Sequence, residues 1–540
     1  MKNRFEELLE QLSREKGGET FFFDARNGGS MTYREFYQAV RKKGEALRSA
    51  GVNPGNRVLL LMDNSFQFAV NFFAVTFCHG IVVPVNTNLK TQEISYLIED
   101  TGAVGILAEE RYRERLPETA KKAGQRSGER SLKAIEGDGW QECARLLEMA
   151  EGDDRQAGDC LLRKTGESSQ ELVEDYLPFE QTSLNDLPEG TAMLLYTSGT
   201  TGHPKGVILS FDNLMAKTRD IIEAHALTGR DRVLCVLPWF HINGLVITLL
   251  TPLVSGQKIV IGGKFSVSRF WQYVEAYEIT WFSGVPTMYS HLLARGIPEY
   301  GRHSSLRFAR SASSALPGAV LREFEQLCQV PVIESYGITE GCAQITSNPL
   351  PPAVHKTNSV GLAYGNRIKI VDGKGQEVPA GVSGEVWIKG ENVTCGYYHK
   401  EQENQKSFTE GWFHSGDVGY LDSEGYLFLN GRIKELINRA GEKFSPLEVD
   451  EVLYQIPQVE LAAAVGVPDP VYGEEVVCFL KLKEGETLTE QEVKSWCEKQ
   501  LAGYKVPREV FFVSHLPQGG NGKIQRLKLV EVYNRQKKDK

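Results

Sequence analysis

A stretch rich in glycine and hydroxyl side chains occupies residues 196–207 and reads YTSGTTGHPKGV. Backbone amides in such a loop form a cradle for an anion, and Lys205 adds positive charge. The loop lacks the Gly-Lys-Ser/Thr ending of a Walker sequence, and its glycine spacing is not that of a dinucleotide fingerprint. We expect it between a strand entering from Ala192 and a helix beginning near Phe211. We assign polyphosphate contacts to Thr197, Ser198, Gly199, Thr200, Thr201, Gly202 and Lys205.

Two further segments carry groups suited to a nucleotide. Residues 334–341 read ESYGITEG, in which Tyr336 offers a flat face for a purine and Glu340 a hard oxygen for Mg²⁺. Residues 411–417 read GWFHSGD, and the carboxylate of Asp417 can accept hydrogen bonds from both hydroxyls of a ribose. Arg432, which follows a predicted turn, can reach the same ribose. Together these segments predict a nucleotide site.

These motifs, with PQGGNGKIQR at 517–526 and GRIKELINRAGEKFSPLEV at 431–449, resemble the adenylate-forming superfamily, and most of all its acyl-CoA synthetases. The resemblance extends over nearly the whole chain and is weakest between about 121 and 190. It implies that Lys523 is a catalytic lysine that contacts the carboxylate and the α-phosphate. A compact, mobile cation of this kind lowers the barrier to the meeting of two anions.

The resemblance also implies roles for residues whose surroundings alone do not define one. It identifies Lys434 as the hinge position, Gly441 as part of the thiol path, Thr197 as a second metal contact beside Glu340, and His241 as a border of the acyl channel. It places further nucleotide contacts in the 310–317 and 334–341 segments, at Ser314, Glu334, Gly337 and Thr339.

Arg310 begins the segment RSASSALP, which departs from the more usual glycine- and alanine-rich form. A serine-rich form with a leading arginine resembles the branch that activates oxalate and other short polar acids, where Arg310 would meet a second carboxylate. The run from 238 to 293 instead resembles ligases of fatty and carnitine-like acids. We interpret Arg310 as a member of a structural ion pair and keep the substrate role as the alternative.

The elements that must position these residues alternate between helix and strand over the first 110 residues or so, and again from 191 to 334. This alternation predicts a parallel sheet with helices on its faces. Short strands with turn signals follow 359. We therefore expect an α/β fold with a large domain, 1–431, of fused α/β subdomains plus a β-rich subdomain, and a small mobile α+β domain, 432–540. The charge-rich stretch 121–190 reads as a surface excursion or insertion without a clear assignment.

Composition restricts the classes of partner. The 540 residues carry a net charge of −9, which argues against nucleic acid. Nine cysteines without a CxxC pair indicate free thiols in a reducing compartment. The most apolar run, 68–85, is interrupted by polar residues and proline, so we expect no membrane span and a cytoplasmic protein. The oligomeric state stays open.

The combined prediction is an ATP-dependent acid–thiol ligase that uses Mg²⁺. A carboxylic acid, expected to be fatty or otherwise aliphatic, becomes an acyl-adenylate with release of pyrophosphate, and the acyl group then passes to coenzyme A. Alternatives are a short polar acid such as oxalate, transfer to the phosphopantetheine of a carrier protein, a luciferase-type oxidation, and a phosphotransferase or nucleotide-binding regulatory module. The missing Walker sequence argues against the phosphotransferase, and the Lys523 motif argues against the regulatory module.

Overall fold

A computed structural model describes residues 4–118, 176–178, 186–197, 204–519 and 522–538. The predicted insertion at 121–190 lies mostly outside these residues. The helices of the described residues are α1 Arg4–Glu15, α2 Tyr33–Ser49, α3 Phe66–Phe77, α4 Thr91–Thr101, α5 Phe211–Ala224, α6 (Ile242–Leu245, a π-helical turn Val246–Leu250, and Thr251–Ser255), α7 Val267–Ala276, α8 Pro286–Arg295, α9 Glu299–Arg302, α10 Gly318–Cys328, α11 Glu401–Ser407, α12 Pro446–Leu453, α13 Glu490–Glu498 and α14 Arg526–Lys538.

The first sheet has six strands in the order β6-β5-β3-β4-β7-β8. Their bounds are β3 Arg57–Leu61, β4 Ile81–Pro84, β5 Gly105–Ala108, β6 Tyr176–Pro178, β7 Thr191–Thr197 and β8 Lys205–Ser210. Strands β3, β4 and β5 are buried along their whole length, as expected of apolar runs in a parallel sheet covered on both faces. Helix α3 is almost entirely apolar and buried because it belongs to the main core of the large domain.

The second sheet has nine strands in the order β15-β14-β13-β12-β11-β9-β10-β1-β2. Their bounds are β1 Thr20–Asp24, β2 Gly29–Thr32, β9 Arg232–Cys235, β10 Lys258–Ile261, β11 Trp281–Gly284, β12 Phe308–Ser311, β13 Val332–Ile338, β14 Ala343–Ser347 and β15 Leu362–Ala363. Strands β11, β12 and β13 are parallel neighbours. Their carboxyl ends therefore meet at one edge, which is where ligands bind in open α/β sheets.

Two smaller sheets complete the fold, each of five strands. One contains β16 Asn366–Val371, β17 Gly384–Gly390, β18 Phe408–Thr409, β19 Trp412–Leu421 and β20 Leu427–Arg432. The other contains β21 Ile437–Arg439, β22 Glu442–Phe444, β23 Val459–Asp469, β24 Gly473–Leu482 and β25 Glu509–Phe512. The change from one sheet to the other falls at 433–436. The predicted α/β class, with its β-rich addition and a small C-terminal α+β unit, is confirmed.

Two predictions from composition have a counterpart in the described residues. Their seven cysteines are all free thiols, and all but Cys395 are buried. Within the same residues, no helix combines the length and the apolar character needed to cross a membrane.

Candidate active site

The glycine-rich stretch joins two antiparallel strands rather than a strand and a helix, which corrects its expected setting. Thr197 ends β7 and pairs with Lys205, which begins β8, and α5 starts only after β8. The expected contacts Ser198, Gly199, Thr200, Thr201 and Gly202 lie outside the described residues. Hairpin pairing places both ends of the loop at one point, so Thr197 and Lys205 face the same site.

Lys205 has an acidic partner and an aromatic neighbour. Its ammonium group forms an ion pair with Glu403 of α11 and lies 5.3 Å from the ring centre of Tyr397. The hydrogen bond from Lys205 lowers the pKa of Glu403. The Tyr397 hydroxyl also donates to Oε1 of Glu340, the predicted metal ligand, over 2.8 Å. Tyr397 therefore connects the phosphate loop to the carboxylate of Glu340.

A cavity of about 390 Å³ lies between the large domain and the C-terminal unit. The segments that follow β11 and β12 form one wall together with β13 itself. Strands β19 and β20 form a second wall, and α12 with the turn before α14 forms the third. Predicted site residues that line it are Ser314, Glu334, Tyr336, Gly337, Asp417, Arg432 and Lys523. The fold thus gathers at one cavity seven residues that are spread over more than 200 positions of sequence.

Tyr336, Asp417 and Arg432 form a connected polar group in the wall of this cavity. The Tyr336 hydroxyl donates to Oδ2 of Asp417 over 2.5 Å, and Nε of Arg432 donates to Oδ1 over 3.0 Å. Asp417 and Arg432 are direct partners in the β19–β20 ladder, which fixes their spacing. The negative charge of Asp417 raises the pKa of Arg432, and burial together with Asp417 raises that of Tyr336. The arrangement holds a carboxylate in place for hydroxyl donors.

Glu334 is a buried carboxyl group at the same wall. Its Oε1 accepts a hydrogen bond from the backbone N–H of Leu316 over 2.9 Å, while Oε2 has no hydrogen-bond partner within the described residues. Burial raises its pKa to about 8. At neutral pH the group is therefore mostly protonated and is able to donate a hydrogen bond.

Lys523 projects into the cavity from the turn that precedes α14. Burial lowers the pKa of its ammonium group, and the charge of Arg432 adds to that effect. Gly520 lies outside the described residues, whereas Gly519 and Gly522 are described. Because Lys523 and Arg432 are close together, one bound anion can be stabilised by both positive charges.

Other predicted residues lie away from the cavity wall. Lys434 is exposed in the segment between the two small sheets, and Gly441 is exposed in the β21–β22 turn with φ +92°. Thr339 and Glu340 lie in a short 3₁₀ turn after β13. His241 precedes α6, and burial lowers its pKa to about 4, so its imidazole is neutral at pH 7. Their predicted roles remain predictions.

Arg310 lies in the middle of β12 and is 1% exposed. Its guanidinium donates to Asn243 Oδ1 over 3.0 Å, to Ser283 Oγ over 2.9 Å and to Gln344 Oε1 over 3.3 Å. These acceptors are all neutral, and the described residues include no acidic partner. Burial lowers the pKa of Arg310 to about 9. The expected structural ion pair is therefore wrong for this part of the chain.

The surroundings of Arg310 contain further polar atoms without partners. Buried side-chain atoms that lack a hydrogen bond among the described residues include His225 Nδ1, Tyr289 OH and Gln344 Nε2. Asn243 also donates to Ser313 Oγ over 3.1 Å, and Ser313 lines the cavity. We call Arg310, Asn243, Ser283 and Gln344 the arginine corner. Buried polar atoms in folded proteins are usually hydrogen-bonded, so these atoms have room for a partner such as a ligand group or a water molecule.

Contacts that hold the C-terminal unit against the large domain were not predicted. Both oxygens of Glu451 accept from the backbone N–H of Gly318 over 3.1 Å, at the start of α10. Thr287 Oγ1 donates to the carbonyl of Gly522 over 3.0 Å. Neither residue stands in a recognisable sequence pattern, so sequence inspection gave no signal for them.

Metal binding at this site fits one particular mode. The described residues contain no cluster of three or more His, Cys, Asp or Glu side chains able to hold a metal ion alone. Mg²⁺ usually takes one or two protein oxygens and completes its shell with phosphate and water. Glu340, beside the phosphate loop through Tyr397, has the hard oxygen chemistry for that mode.

Comparisons with known proteins agree with this geometry. The model of the AMP-binding enzyme family matches residues 9–398, and that of the AMP-binding enzyme C-terminal domain matches 448–523. The chain is 37% identical over 503 residues to oxalate–CoA ligase of Arabidopsis thaliana, with 92% of each chain covered. It is 43% identical over 344 residues to sulfoacetate–CoA ligase of Cupriavidus necator, which covers 64% of this chain and 67% of that one.

A solved structure extends the likeness to three dimensions. The o-succinylbenzoate coenzyme A synthetase of Bacillus subtilis, in complex with ATP and magnesium ion, superposes with a TM-score of 0.76 at 28% identity. The alignment covers 97% of this chain and 98% of that one. The resemblance to adenylate-forming enzymes is thereby confirmed. The chain belongs to the AMP-binding enzyme family, and it is an AMP-forming acid–thiol ligase of the acyl-CoA synthetase type.

Proposed function

We propose that this enzyme activates a short carboxylic acid that carries a second anionic group and transfers it to coenzyme A. The observation that carries the substrate class is Arg310, a buried guanidinium with neutral partners beside the cavity. A buried charge without a counter-ion costs several kcal/mol, on the order of the values known for unpaired buried ions. A substrate anion that supplies the missing charge would offset that cost.

The arginine corner lies where an acid bound in the cavity would point away from the nucleotide. Asn243 contacts both Arg310 and the cavity-lining Ser313, so the guanidinium stands one side chain behind the wall. The unpaired donors and acceptors around it are polar, whereas an alkyl tail would leave them unsatisfied. This favours a short dianion over the fatty acid that the sequence alone favoured.

The names of two relatives support the same class. Oxalate and sulfoacetate each carry two anionic groups separated by no more than one carbon, and both occur in the names of ligases similar to this chain. A single buried arginine can recognise either a carboxylate or a sulfonate, because each offers oxygens to its planar set of donors. The activity test described below distinguishes a carboxylate from a sulfonate as the second anionic group.

In the first step, a carboxylate oxygen of the acid attacks the α-phosphorus of ATP. A P–O bond forms, the bond to the pyrophosphate breaks, and pyrophosphate leaves. Lys523 offsets the charge that collects as the two anions meet, aided by the nearby cation Arg432. We assign the ribose to Asp417 and the base to the wall that contains Tyr336 and the neutral carboxyl of Glu334.

ATP and Mg²⁺ fit the phosphate loop and Glu340. Thr197 and Lys205 stand at the two ends of the hairpin loop, and Glu340 is joined to it through Tyr397. Bound Mg²⁺ would neutralise part of the phosphate charge. On the protein side, Lys205 supplies a cation and Tyr397 orients the carboxylate of Glu340.

In the second step, the thiol of coenzyme A attacks the acyl carbon. A C–S bond forms, the bond to AMP breaks, and the thiol proton is released. Lys523 and other residues of the C-terminal unit line one side of the cavity. We propose that the unit, 432–540, rotates about Lys434 and brings Gly441 to the thiol path. We also propose a cytoplasmic location, which the free buried thiols support.

The test is acid-dependent release of AMP in the presence of ATP, Mg²⁺ and coenzyme A, measured with oxalate, sulfoacetate, malonate, acetate, octanoate and benzoate. We expect kcat/KM for the best two-anion acid to exceed that for acetate by at least about 100-fold. Arg310→Met should lower the first value by at least about 30-fold, because an anion is left without its buried partner, and should change the second little.

Arg307→Met is the matched control. Arg307 lies beside the same strand but has an acidic partner, Asp231, at 2.8 Å, and it is partly exposed. This variant should keep the preference for a two-anion acid. A melting shift with ATP alone reports whether Arg310→Met still folds. Fastest turnover with octanoate, or an equal loss on every acid in a folded Arg310→Met protein, would contradict the substrate class.

A further inference from the structure

Helix α8 presents one face to the C-terminal unit. Thr287 and His291 are four residues apart and therefore lie one above the other on that face. His291 Nδ1 lies 2.7 Å from Oε1 of Glu460 in β23, which also accepts from Lys481 over 2.6 Å. Thr287 contacts the turn that carries Lys523. The two contacts of α8 thus differ: one reaches the body of the unit, and the other reaches its catalytic turn.

The contact of Thr287 falls on the residue before Lys523. Its hydroxyl donates to the carbonyl oxygen of Gly522 over 3.0 Å, and Thr287 itself is 6% exposed. The peptide bond that contains this carbonyl also contains the amide nitrogen of Lys523. Fixing that peptide fixes the direction in which the lysine backbone leaves the turn.

Three backbone hydrogen bonds join the described residues around Lys523. Gly522 N–H donates to Gly519 O over 2.9 Å, Gly519 N–H donates to Lys523 O over 2.8 Å, and Gln525 N–H donates to Pro517 O over 2.9 Å. These bonds close the turn on itself on either side of the lysine. Movement of the Gly522 carbonyl must therefore carry Lys523 with it.

Gly522 allows the turn to approach α8 closely. Its φ is +81°, a left-handed conformation that glycine adopts without strain. A Cβ at this position would lie 3.1 Å from Val285 Cγ2 and 3.4 Å from Thr287 Oγ1. The glycine therefore serves both the shape of the turn and its fit against the start of α8.

The helix does not need this hydroxyl for its own stability. Val285 is the N-cap of α8 and provides no side-chain cap, and Thr287 donates across the domain boundary. A threonine with a purely local role would be expected to bond to backbone groups of its own helix.

We propose that Thr287 is a positioning residue for Lys523 in the acid-activating step, and that its hydrogen bond to Gly522 breaks when the C-terminal unit rotates for thiol attack. This inference rests on the proposed catalytic role of Lys523. Thr287 also lines the cavity, and in this scheme it acts through the turn and not on the acid or the nucleotide. It holds the turn so that the ammonium group of Lys523 is in place before the carboxylate and the α-phosphate meet. A group that is positioned before the reaction contributes most to lowering the barrier.

The experiment separates the two half-reactions. Acid-dependent exchange of pyrophosphate into ATP reports the first, with the acid that is turned over fastest in the panel above. Conversion of chemically synthesised acyl-AMP and coenzyme A into thioester reports the second. Thr287→Val, which keeps the shape and removes the hydroxyl, should lower kcat of exchange about 3- to 10-fold, the range of one hydrogen bond. KM for ATP and the second half-reaction should stay within about 2-fold of the wild type.

Three controls make the outcome decisive. Thr287→Ser restores the hydroxyl and should recover most of the exchange rate. Thr287→Val should add no further loss in a Lys523→Ala background, because both changes act on the same group. His291→Gln removes the other α8 contact and should affect exchange less than Thr287→Val.

Wild-type exchange in Thr287→Val, an equal loss in both half-reactions, or the same loss in His291→Gln would overturn the proposal. Failure of the proposed function is recognised separately. If Lys523→Ala itself exchanges pyrophosphate at the wild-type rate, the catalytic assignment of Lys523 is wrong, whatever Thr287 does.

Discussion

Two arginines near the cavity have different kinds of partner. We call the part of the cavity around Tyr336, Asp417 and Arg432 the nucleotide end, and the part beside the arginine corner the acid end. Arg432 stands at the nucleotide end, and its partner Asp417 raises its pKa. Arg310 stands in the arginine corner, with neutral acceptors and a pKa lowered to about 9 by burial. The first cation is neutralised by the protein itself, and it helps to hold a carboxylate in place. We propose that a ligand neutralises the second, which would place substrate specificity beside Arg310.

Lys523→Ala is expected to have the largest effect, because this residue acts at the point where the two ends meet. Pyrophosphate exchange should fall by about 100- to 1000-fold with every acid, the range seen when one group that stabilises developing charge is removed. The protein should fold and bind ATP, as a melting shift would report. A loss confined to one class of acid would place Lys523 at the acid end and break the comparison.

Lys434→Pro tests whether rotation of the C-terminal unit is needed for thioester formation but not for activation of the acid. Proline fixes φ and restricts the residue before it, so rotation about this position should be hindered. We expect exchange within about 3-fold of the wild type, and thioester formation from acyl-AMP reduced by at least about 10-fold. Survival of both half-reactions would contradict the hinge assignment.

Arg432→Met is the counterpart of Arg310→Met at the nucleotide end. Because Arg432 fixes Asp417, its loss should raise KM for ATP by about 10-fold, the effect of a charged hydrogen bond. The ranking of acids in the panel should stay the same. If Arg432→Met changes the ranking of acids while Arg310→Met changes KM for ATP, the assignment of the two ends is reversed.

Glu334→Gln is expected to have the smallest effect, which is on the stability of the fold and not on catalysis. The pKa of Glu334 is about 8 in the folded chain and near 4.5 when exposed, so the folded state binds the extra proton between these values. Stability from this group is therefore present at low pH and lost as pH rises towards 8. The melting temperature of Glu334→Gln minus that of the wild type should increase by a few degrees from pH 5 to pH 8.5. A constant difference would show that Glu334 is ionised throughout.

The fold brings the motifs predicted to bind the nucleotide to one cavity, whereas the partners of Arg310 come from scattered positions. Tyr336, Asp417 and Lys523 stand in compact motifs, the first two within single strands and the third in one turn, and the fold brings them to one cavity. The acid end is assembled from β11, β12, β14 and the start of α6, with one residue from each. No linear spacing encodes such a group. The absence of an acidic partner for Arg310 among the described residues is a property of its surroundings, so the sequence could equally suggest an ion pair.

The glycine-rich stretch shows a second limit. A helix does begin at Phe211 as predicted, but the composition did not indicate that the chain first returns as β8. Gly206 lies within β8, where a Cβ would approach the ring of Tyr196 to 3.0 Å. That glycine is required by cross-strand packing as well as by any ligand. Turn chemistry and strand packing use the same residue, and composition alone does not separate them.

The ion pair between Lys205 and Glu403 has a consequence for how a nucleotide is captured. A phosphate that takes Lys205 must displace a carboxylate already bound to it, so binding is an exchange of counter-ions rather than the filling of an empty positive site. Because Glu403 already neutralises Lys205, this lysine attracts a distant triphosphate less than an unpaired lysine would. Added salt weakens both the Lys205–Glu403 pair and a Lys205–phosphate pair. Selectivity for ATP over a simple phosphate then depends on how many contacts form together.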